Sequence, residues 1–287
     1  MPKISAAGGV KLYYEEAGQG TPLLFIHEFA GDHRSWETQM RFFSRRYRAI
    51  TYSARGYPPS DVPEELEAYS QEAHVEDALA ILDGLKIEKA HICGLSMGSY
   101  TSLLFGLKYP ERAISLIVAG SGYGSGKERG DWYTFLDKYA DSFLQEGMND
   151  MTAAHYASGH TRVQLQNKDP RGFEEYQQQF FQHSPLGSAN TFRGVQKNRP
   201  NLLDLEEQLR KLTIPTLLML GDEDDPGLEA TLFMKQVIPT AGLEIFPKTG
   251  HAINLEEPDR FNRSVLDFLT AAESGRWGAR DPRSIAG

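Results

Sequence analysis

The sequence predicts an α/β fold: a mostly parallel, doubly wound β-sheet with helices on both faces and a helical insertion. Short, nearly continuous apolar runs such as LLFIH and HICGL are typical of strands covered on both faces, and they alternate with stretches of helical periodicity. That alternation stops between about residues 123 and 203 and then resumes, which indicates the insertion.

The first half of the chain predicts strands and helices in turn. VKLYYEEAGQGTPLLFIHEF predicts two strands around a Gly-Gln-Gly turn, and RSWETQMRFFSR predicts a helix. YRAITYSARG predicts a strand that ends at Gly56 and the Pro58-Pro59 breaker. SQEAHVEDALAILDGL has apolar residues at helical spacing, AHICGLS predicts a strand, MGSYTSLLFGLKYP a helix, and AISLIVAG the following strand.

The insertion differs from its surroundings in composition. Residues 123–203 mix aromatic side chains with Gln, Asp and Lys and lack a Val/Ile-rich run, so we expect amphipathic helices that form a cap. Alternation resumes with IPTLLMLGDEDD, LEATLFMKQVI, GLEIFP and RFNRSVLDFLTAA. We therefore expect a core formed by residues 1–122 and 204–273, a cap at 123–203, and a flexible tail at 274–287.

Composition and charge narrow the classes of function. The 287 residues carry a formal net charge of −9, which argues against a nucleic-acid partner and against an anionic membrane surface. Cys93 is the single cysteine, so no internal disulfide can form. The first residues lack the apolar run of a signal peptide, and no stretch approaches the ~18 apolar residues of a membrane span. We expect a cytoplasmic protein that acts on a small molecule; the oligomeric state is not indicated.

The segment Gly94-Leu95-Ser96-Met97-Gly98 lies where a predicted strand gives way to a predicted helix. A nucleophile at that point needs a tight, strained bend, and glycines two residues before and after it let backbone segments approach closely. The bend lifts the Ser96 hydroxyl above the sheet, with a helix N-terminus behind it. An ordinary turn serine is the alternative, and the presence of a partner base decides between the two.

A serine hydroxyl needs a base within hydrogen-bond reach and an acid that orients the base. The loop after TLLMLG offers three acids, Asp222, Asp224 and Asp225, and the loop after GLEIFP offers His251. Serine, acid and histidine in this chain order, each just after a strand, form the arrangement of an α/β-hydrolase sheet. We therefore predict Ser96 as the nucleophile and His251 as the general base and acid.

The sequence resembles the α/β-hydrolase superfamily from about residue 10 to residue 271, in particular its lidded branch of lactonases, carboxylesterases and carbon–carbon hydrolases. The segments that carry the resemblance are FIHEFAG, ITYSARGYPPSD, ICGLSMGS, LLMLGDEDDP and FPKTGHAINLEEPDRFN. In this family the acid usually stands three residues after the glycine that closes its strand, here Gly221, which implies Asp224 as the orienting acid. The other position that the family uses, after IVAGSG, holds no acid.

An oxyanion hole needs two backbone N–H donors aimed at the developing charge. Met97, directly after the nucleophile, supplies one, and the resemblance implies that Phe29 supplies the other. Where the family has a glycine in this loop, the chain has Glu28. A carboxylate in the hole would oppose the oxyanion, so Glu28 points away, pairs with Arg34 or Arg55, or carries a pKa raised by burial. We favour the first two together and expect Glu28 to shape the pocket rather than perform the chemistry.

Three further residues are candidates for the substrate pocket. Tyr123 and Trp132 stand near the start of the cap, where aromatic side chains that face the cleft would contact an apolar substrate. Arg162 could hold a substrate carboxylate, although we favour a surface cation. HEFAGDH begins like the zinc motif H-E-x-x-H, but Gly31 stands in place of the second histidine, so we expect neither a metal nor a cofactor.

Together these predictions favour a serine hydrolase that cleaves an ester or lactone bond of a small, largely apolar substrate through an acyl-enzyme. The resemblance leaves other chemistry open: hydrolysis of a carbon–carbon bond in a ring-fission diketone, or a cofactor-free reaction with peroxide or oxygen. A ligand receptor that retains a slow hydrolase triad is an alternative of another class. The sequence does not identify the substrate.

Overall fold

An eight-stranded sheet forms the centre of the protein in the computed structural model, which describes residues 1–126 and 130–284. Residues 127–129 of the predicted cap and 285–287 of the predicted tail lie outside the described residues. Apolar runs form the strands because their side chains fit a pleated surface that is covered on both faces. The strands are β1 Lys3–Ser5, β2 Lys11–Ala17, β3 Pro22–Ile26, β4 Arg48–Tyr52, β5 Ala90–Leu95, β6 Ala113–Ala119, β7 Thr216–Gly221 and β8 Ala241–Phe246.

The strand order places several loops side by side. The sheet runs β1-β2-β4-β3-β5-β6-β7-β8, with β1/β2 and β2/β4 antiparallel and all other neighbours parallel. This confirms the mostly parallel sheet; the antiparallel pairs are confined to one end. Because β3, β5, β6, β7 and β8 are parallel neighbours, the loops that follow them meet at one edge, where ligands bind in open α/β sheets.

Helices cover both faces of the sheet and form the insertion. They are α1 Glu37–Phe43, α2 Gln71–Gly84, α3 Met97–Lys108, α4 Gly130–Glu146, α5 Ala153–Ala157, α6 Val163–Lys168, α7 Pro170–Phe181, α8 Pro185–Asn190, α9 Glu206–Arg210, α10 Asp225–Val237, α11 Ile253–Glu256 and α12 Pro258–Glu273. Phe43 of α1 and Val265 of α12 join the apolar cluster on one face, and Ile81 of α2 and Leu103 of α3 join the cluster on the other. Among the described residues, no helix combines the length and apolar composition needed to cross a bilayer.

The cap rests on the loop that follows β3. Helices α4 to α8 lead into a π-helix, Thr191–Gln196, which supplies Phe192. The ring of Phe192 stacks on the ring of Phe29 with centroids 3.7 Å apart, and Tyr156 and Phe180 meet Phe29 edge-on at 5.4 and 6.0 Å. Aromatic pairs of this kind hold the cap against the core in addition to the apolar area that they bury.

The described part of the C-terminal tail makes specific contacts. The Trp277 ring packs edge-on against Phe268 of α12, with centroids 4.6 Å apart, and its indole N–H donates to the carbonyl oxygen of Thr240 at 2.8 Å. The Arg280 N–H donates to the carbonyl oxygen of Pro239 at 2.9 Å. These residues therefore contact the core, because a single indole finds both an apolar surface and a hydrogen-bond acceptor. The flexibility expected for the tail at 274–287 stays a prediction.

Candidate active site

Ser96 occupies a strained bend between β5 and α3. Its backbone has φ 54° and ψ −110°, a region that non-glycine residues rarely adopt and that costs about 1–3 kcal/mol. A Cβ on Gly94 would lie 2.0 Å from the carbonyl oxygen of Gly98, and one on Gly98 would lie 2.1 Å from that of Ile26. Both glycines are therefore required by close backbone approach, and the bend that they permit leaves Ser96 partly accessible.

His251 and Asp224 form a buried hydrogen-bonded pair. Nδ1 of His251 lies 2.8 Å from Oδ2 of Asp224, and the two side chains are 4% and 0% exposed. Burial raises the pKa of Asp224, but the neighbouring His251 and the hydroxyl of Tyr123 outweigh it, so the pKa lies below its usual value. Asp222 is exposed and accepts a hydrogen bond from the Thr249 N–H. The geometry thus selects one of the three candidate acids.

Ser96 and His251 both border the end of β6. The Ser96 N–H donates to the carbonyl oxygen of Ala119 at 2.8 Å, and a Cβ on Gly120 would lie 3.4 Å from Cε1 of His251. Within the described part of the chain, the Ser96 hydroxyl itself makes no hydrogen bond to His251. Such bonds are often long in an unliganded protein and shorten when substrate binds.

Two backbone N–H groups are available beside Ser96. Within residues 1–126 and 130–284, neither the N–H of Phe29 nor that of Met97 donates a hydrogen bond to a protein acceptor. Met97 opens α3, so the helix dipole favours negative charge at that point. These two groups can therefore serve as the predicted oxyanion donors.

Glu28 is buried and lies beside Gly31. A Cβ on Gly31 would lie 2.3 Å from Oε1 of Glu28, so the carboxyl group occupies the space that a side chain there would fill. The Ser35 hydroxyl donates to Oε2 at 3.2 Å. Burial raises the pKa of Glu28, against opposing effects of Arg162 and His251.

Arg34 and Arg55, the predicted partners of Glu28, form ion pairs with other carboxylates. Arg34 pairs with Asp32 at 2.6 Å, and Arg55 pairs with Asp77 at 2.6 Å. The expectation that Glu28 pairs with one of them is therefore wrong, because each guanidinium finds a buried carboxylate of its own.

Arg162 is a buried cation rather than a surface one. Only 6% of the residue is exposed, Nε donates to the Tyr176 hydroxyl at 2.9 Å, and the guanidinium lies 5.5 Å from the centre of the Tyr156 ring. It forms no ion pair with a carboxylate among the described residues. The favoured reading of Arg162 as a surface residue is corrected: tyrosines from α5 and α7 cover it.

Tyr123 touches the candidate acid–base pair directly. Its hydroxyl donates to Oδ1 of Asp224 at 2.7 Å, and its ring meets the His251 ring edge-on with centroids 4.7 Å apart. Burial raises the pKa of Tyr123 well above its usual value, so the hydroxyl remains a donor. Trp132 lies one ring further out, 5.7 Å from Tyr123.

A cleft of about 580 Å³ opens between the cap and the core. Its lining includes Ser35 and Tyr176, which hydrogen-bond Glu28 and Arg162 respectively. One side chain thus separates the cleft from Glu28 and one from Arg162.

Glu256 is a functional candidate that the sequence did not single out. Its carboxylate accepts the N–H of Gly250 at 2.7 Å and the N–H of Ala252 at 3.1 Å, the residues on either side of His251. It thereby fixes the loop that carries the imidazole. The sequence does show a glutamate five residues after His251, but the role of Glu256 depends on a turn that only the structure shows.

A family model and several known proteins match most of this chain. The model of the alpha/beta hydrolase fold family matches residues 21–258. The chain is 32% identical to 3-oxoadipate enol-lactonase 1 of Acinetobacter baylyi, over 88% of this chain and 89% of that protein. It is 29% identical to 2-hydroxymuconate semialdehyde hydrolase of Pseudomonas putida, over 93% of this chain and 94% of that protein.

Solved structures show the same fold. A thermophilic esterase from Thermogutta terrifontis superposes with a TM-score of 0.83 at 24% identity, covering 94% of this chain and 98% of that one.

Proposed function

Because this chain belongs to the alpha/beta hydrolase fold family of enzymes, we propose that it is a serine hydrolase that cleaves an ester or lactone bond of a small substrate. The observation that carries the proposal is the 2.8 Å hydrogen bond between His251 and Asp224, next to the strained bend at Ser96. A strained serine with an oriented imidazole as its neighbour is the arrangement that acyl transfer requires.

The proposed reaction uses each group in a defined role. His251 takes the proton from the Ser96 hydroxyl as the oxygen attacks the carbonyl carbon, and Asp224 holds the imidazole tautomer and stabilises its cation. The N–H groups of Phe29 and Met97 bind the oxyanion. His251 then protonates the leaving alcohol, and water releases the acyl group from Ser96 by the same steps.

The buried Arg162 extends the proposal to the class of substrate. A guanidinium that is removed from water without a carboxylate partner is costly, and an anion supplied by a ligand offsets that cost. Arg162 also acts electrostatically on Asp224 and Glu28, so it lies near two residues of the candidate site. We therefore propose a largely apolar ester or lactone that carries a carboxylate.

Carbon–carbon hydrolysis is the second candidate, and the same residue favours it. Ring-fission diketones carry a carboxylate beside an apolar or aromatic group, which matches Arg162 within the aromatic cap. The relative from Pseudomonas putida is a semialdehyde hydrolase by name. The two candidates differ in the bond that is cleaved, and not in the residues that cleave it.

The experiment has two parts. Intact-mass measurement after reaction with a fluorophosphonate probe should show one adduct on the parent and none on Ser96→Ala. A panel of carboxylated esters, lactones and a ring-fission diketone then identifies the bond. An adduct that persists on Ser96→Ala, or absence of any adduct on the parent, contradicts the proposed nucleophile.

A further inference from the structure

A short cap segment contacts the loop that carries His251. This segment is the 3₁₀ turn His160–Arg162, which we call the strap. The His251 N–H donates to the carbonyl oxygen of Thr161 at 2.8 Å. A Cβ on Gly250 would lie only 2.1 Å from the same oxygen, so the strap reaches this position because residue 250 has no side chain.

The strap also reaches the candidate acid through Tyr123. The Thr161 side chain lowers the pKa of Tyr123, so it lies beside the Tyr123 hydroxyl, which donates to Oδ1 of Asp224 at 2.7 Å. The Tyr123 ring packs against the imidazole of His251. The strap therefore binds the His251 backbone directly and lies beside the tyrosine that donates to Asp224.

The next residue of the strap is the buried cation Arg162. Its neighbours are the hydroxyl of Tyr176 and the rings of Tyr156 and Tyr176, and none of these carries a negative charge at neutral pH. Glu28 and Asp224 act on it at longer range, without forming an ion pair. The position of the strap is therefore less favourable without a bound anion than with one.

We propose that the strap couples substrate recognition to the acid–base pair. A carboxylate bound by Arg162 stabilises the strap in its observed position, and in that position the strap positions His251 and Asp224 through Thr161 and Tyr123. Thr161 and Tyr123 are positioning residues in this scheme. The inference rests on the proposed function and deepens it, because it makes the substrate carboxylate contribute to kcat and not only to binding.

Two matched esters test the coupling. The mono-4-nitrophenyl ester of glutaric acid carries a carboxylate, and 4-nitrophenyl pentanoate has a similar length without one. We expect kcat of the parent to be about 10-fold higher for the carboxylated ester, which is equivalent to about 1.4 kcal/mol in the activation free energy. Equal kcat values, with a difference in KM alone, would overturn the proposal.

Variants at the strap contacts distinguish coupling between substrate and acid–base pair from a purely structural role of these contacts. In Gly250→Ala the new methyl group displaces the strap, and in Tyr123→Phe the link to Asp224 is lost. We expect the ratio of the two kcat values to fall below about 2 in both variants. Gly130→Ala, where a Cβ meets nothing within 4 Å, is the control and should keep the parental ratio. A uniform loss of kcat on both esters, with the ratio preserved, would mean that these contacts are merely structural.

A reaction that needs no known substrate completes the test. Added propionate should accelerate labelling of Ser96 by a neutral fluorophosphonate in the parent, and not in Arg162→Met or Gly250→Ala. Labelling that propionate does not accelerate in the parent overturns the strap while leaving the proposed nucleophile intact. Absence of labelling in the parent overturns the proposed function, and the strap with it. Thermal unfolding of each variant shows whether it is folded.

Discussion

Replacing Glu256 by Gln tests how the loop of the candidate base is held. The carboxylate accepts one N–H from Gly250 and one from Ala252. Gln keeps one acceptor oxygen and turns its NH₂ group toward the other N–H, which leaves a buried donor unpaired at a cost of about 1–3 kcal/mol. Burial raises the pKa of Glu256, so removing the charge also relieves a desolvation cost and offsets part of the loss.

The net effect of Glu256→Gln should be measurable in stability and in rate. We expect a loss of about 1–2 kcal/mol, which lowers the unfolding midpoint by about 2–8 °C in a protein of this size. Because the loop positions the imidazole, kcat should fall about 10- to 100-fold with a much smaller change in KM. Differential scanning calorimetry and steady-state kinetics on the best ester of the panel give both values.

The adjacent glutamate supplies a matched control. Glu257 pairs with Lys168 at 2.6 Å on the partly exposed surface, so Glu257→Gln should cost less than about 1 kcal/mol and leave kcat at the parental value. If Glu256→Gln behaves like this control, with the parental kcat and a midpoint within about 1 °C, the carboxylate does not hold the His251 loop and the reasoning fails.

Two further outcomes follow from the site, and a third concerns the buried His74 of α2. Ser96→Ala should lower kcat by about 10⁶-fold, and a variant that retains even a hundredth of the activity would exclude Ser96 as the nucleophile. Glu28→Gln should cost less than about 100-fold, because the carboxyl lies against Gly31 rather than on the reacting carbonyl; a loss equal to that of Ser96→Ala would give Glu28 a chemical role. Burial lowers the pKa of His74 to about 3, below the ~6.5 of the unfolded chain, so its contribution to stability is complete above pH 6.5 and declines as the pH falls from there toward 3. His74→Gln should therefore flatten the fall in unfolding midpoint between pH 6.5 and 4.5, and an unchanged slope would show that another group is responsible.

The sheet was predictable because its signal is local. Each buried parallel strand is a short apolar run bounded by turn residues, and such a run is visible without knowledge of its neighbours. The loop residues Ser96, Asp224 and His251 follow strands that the sequence already indicates, so their meeting at one edge follows from the strand order. The short strand Lys3–Ser5 was missed, since three residues carry no periodicity.

The surroundings of the site were not predictable because they depend on tertiary contacts. Arg162 stands in GHTRVQLQNKDPRG, which is mostly polar and indicates exposure. It is buried because Tyr156 and Tyr176 come from other cap helices and close over it. Likewise, the sequence left Arg34 and Arg55 as candidate partners of Glu28, but they form ion pairs with Asp32 and Asp77.

The glutamate in the oxyanion loop becomes intelligible when it is considered together with Gly31. The loop after β3 must keep one N–H, that of Phe29, free for a negative charge, and a carboxylate aimed at that point would oppose it. The conflict is avoided because the Glu28 side chain folds back over Gly31, where any Cβ would collide with Oε1. Its other oxygen, Oε2, accepts a hydrogen bond from the Ser35 hydroxyl. Residue 31 must therefore lack a side chain for the Glu28 carboxyl group to occupy this position. In this position the Glu28 carboxyl group also lies within electrostatic reach of Arg162, so a residue of the backbone-donor loop contributes to the charge balance of the cap.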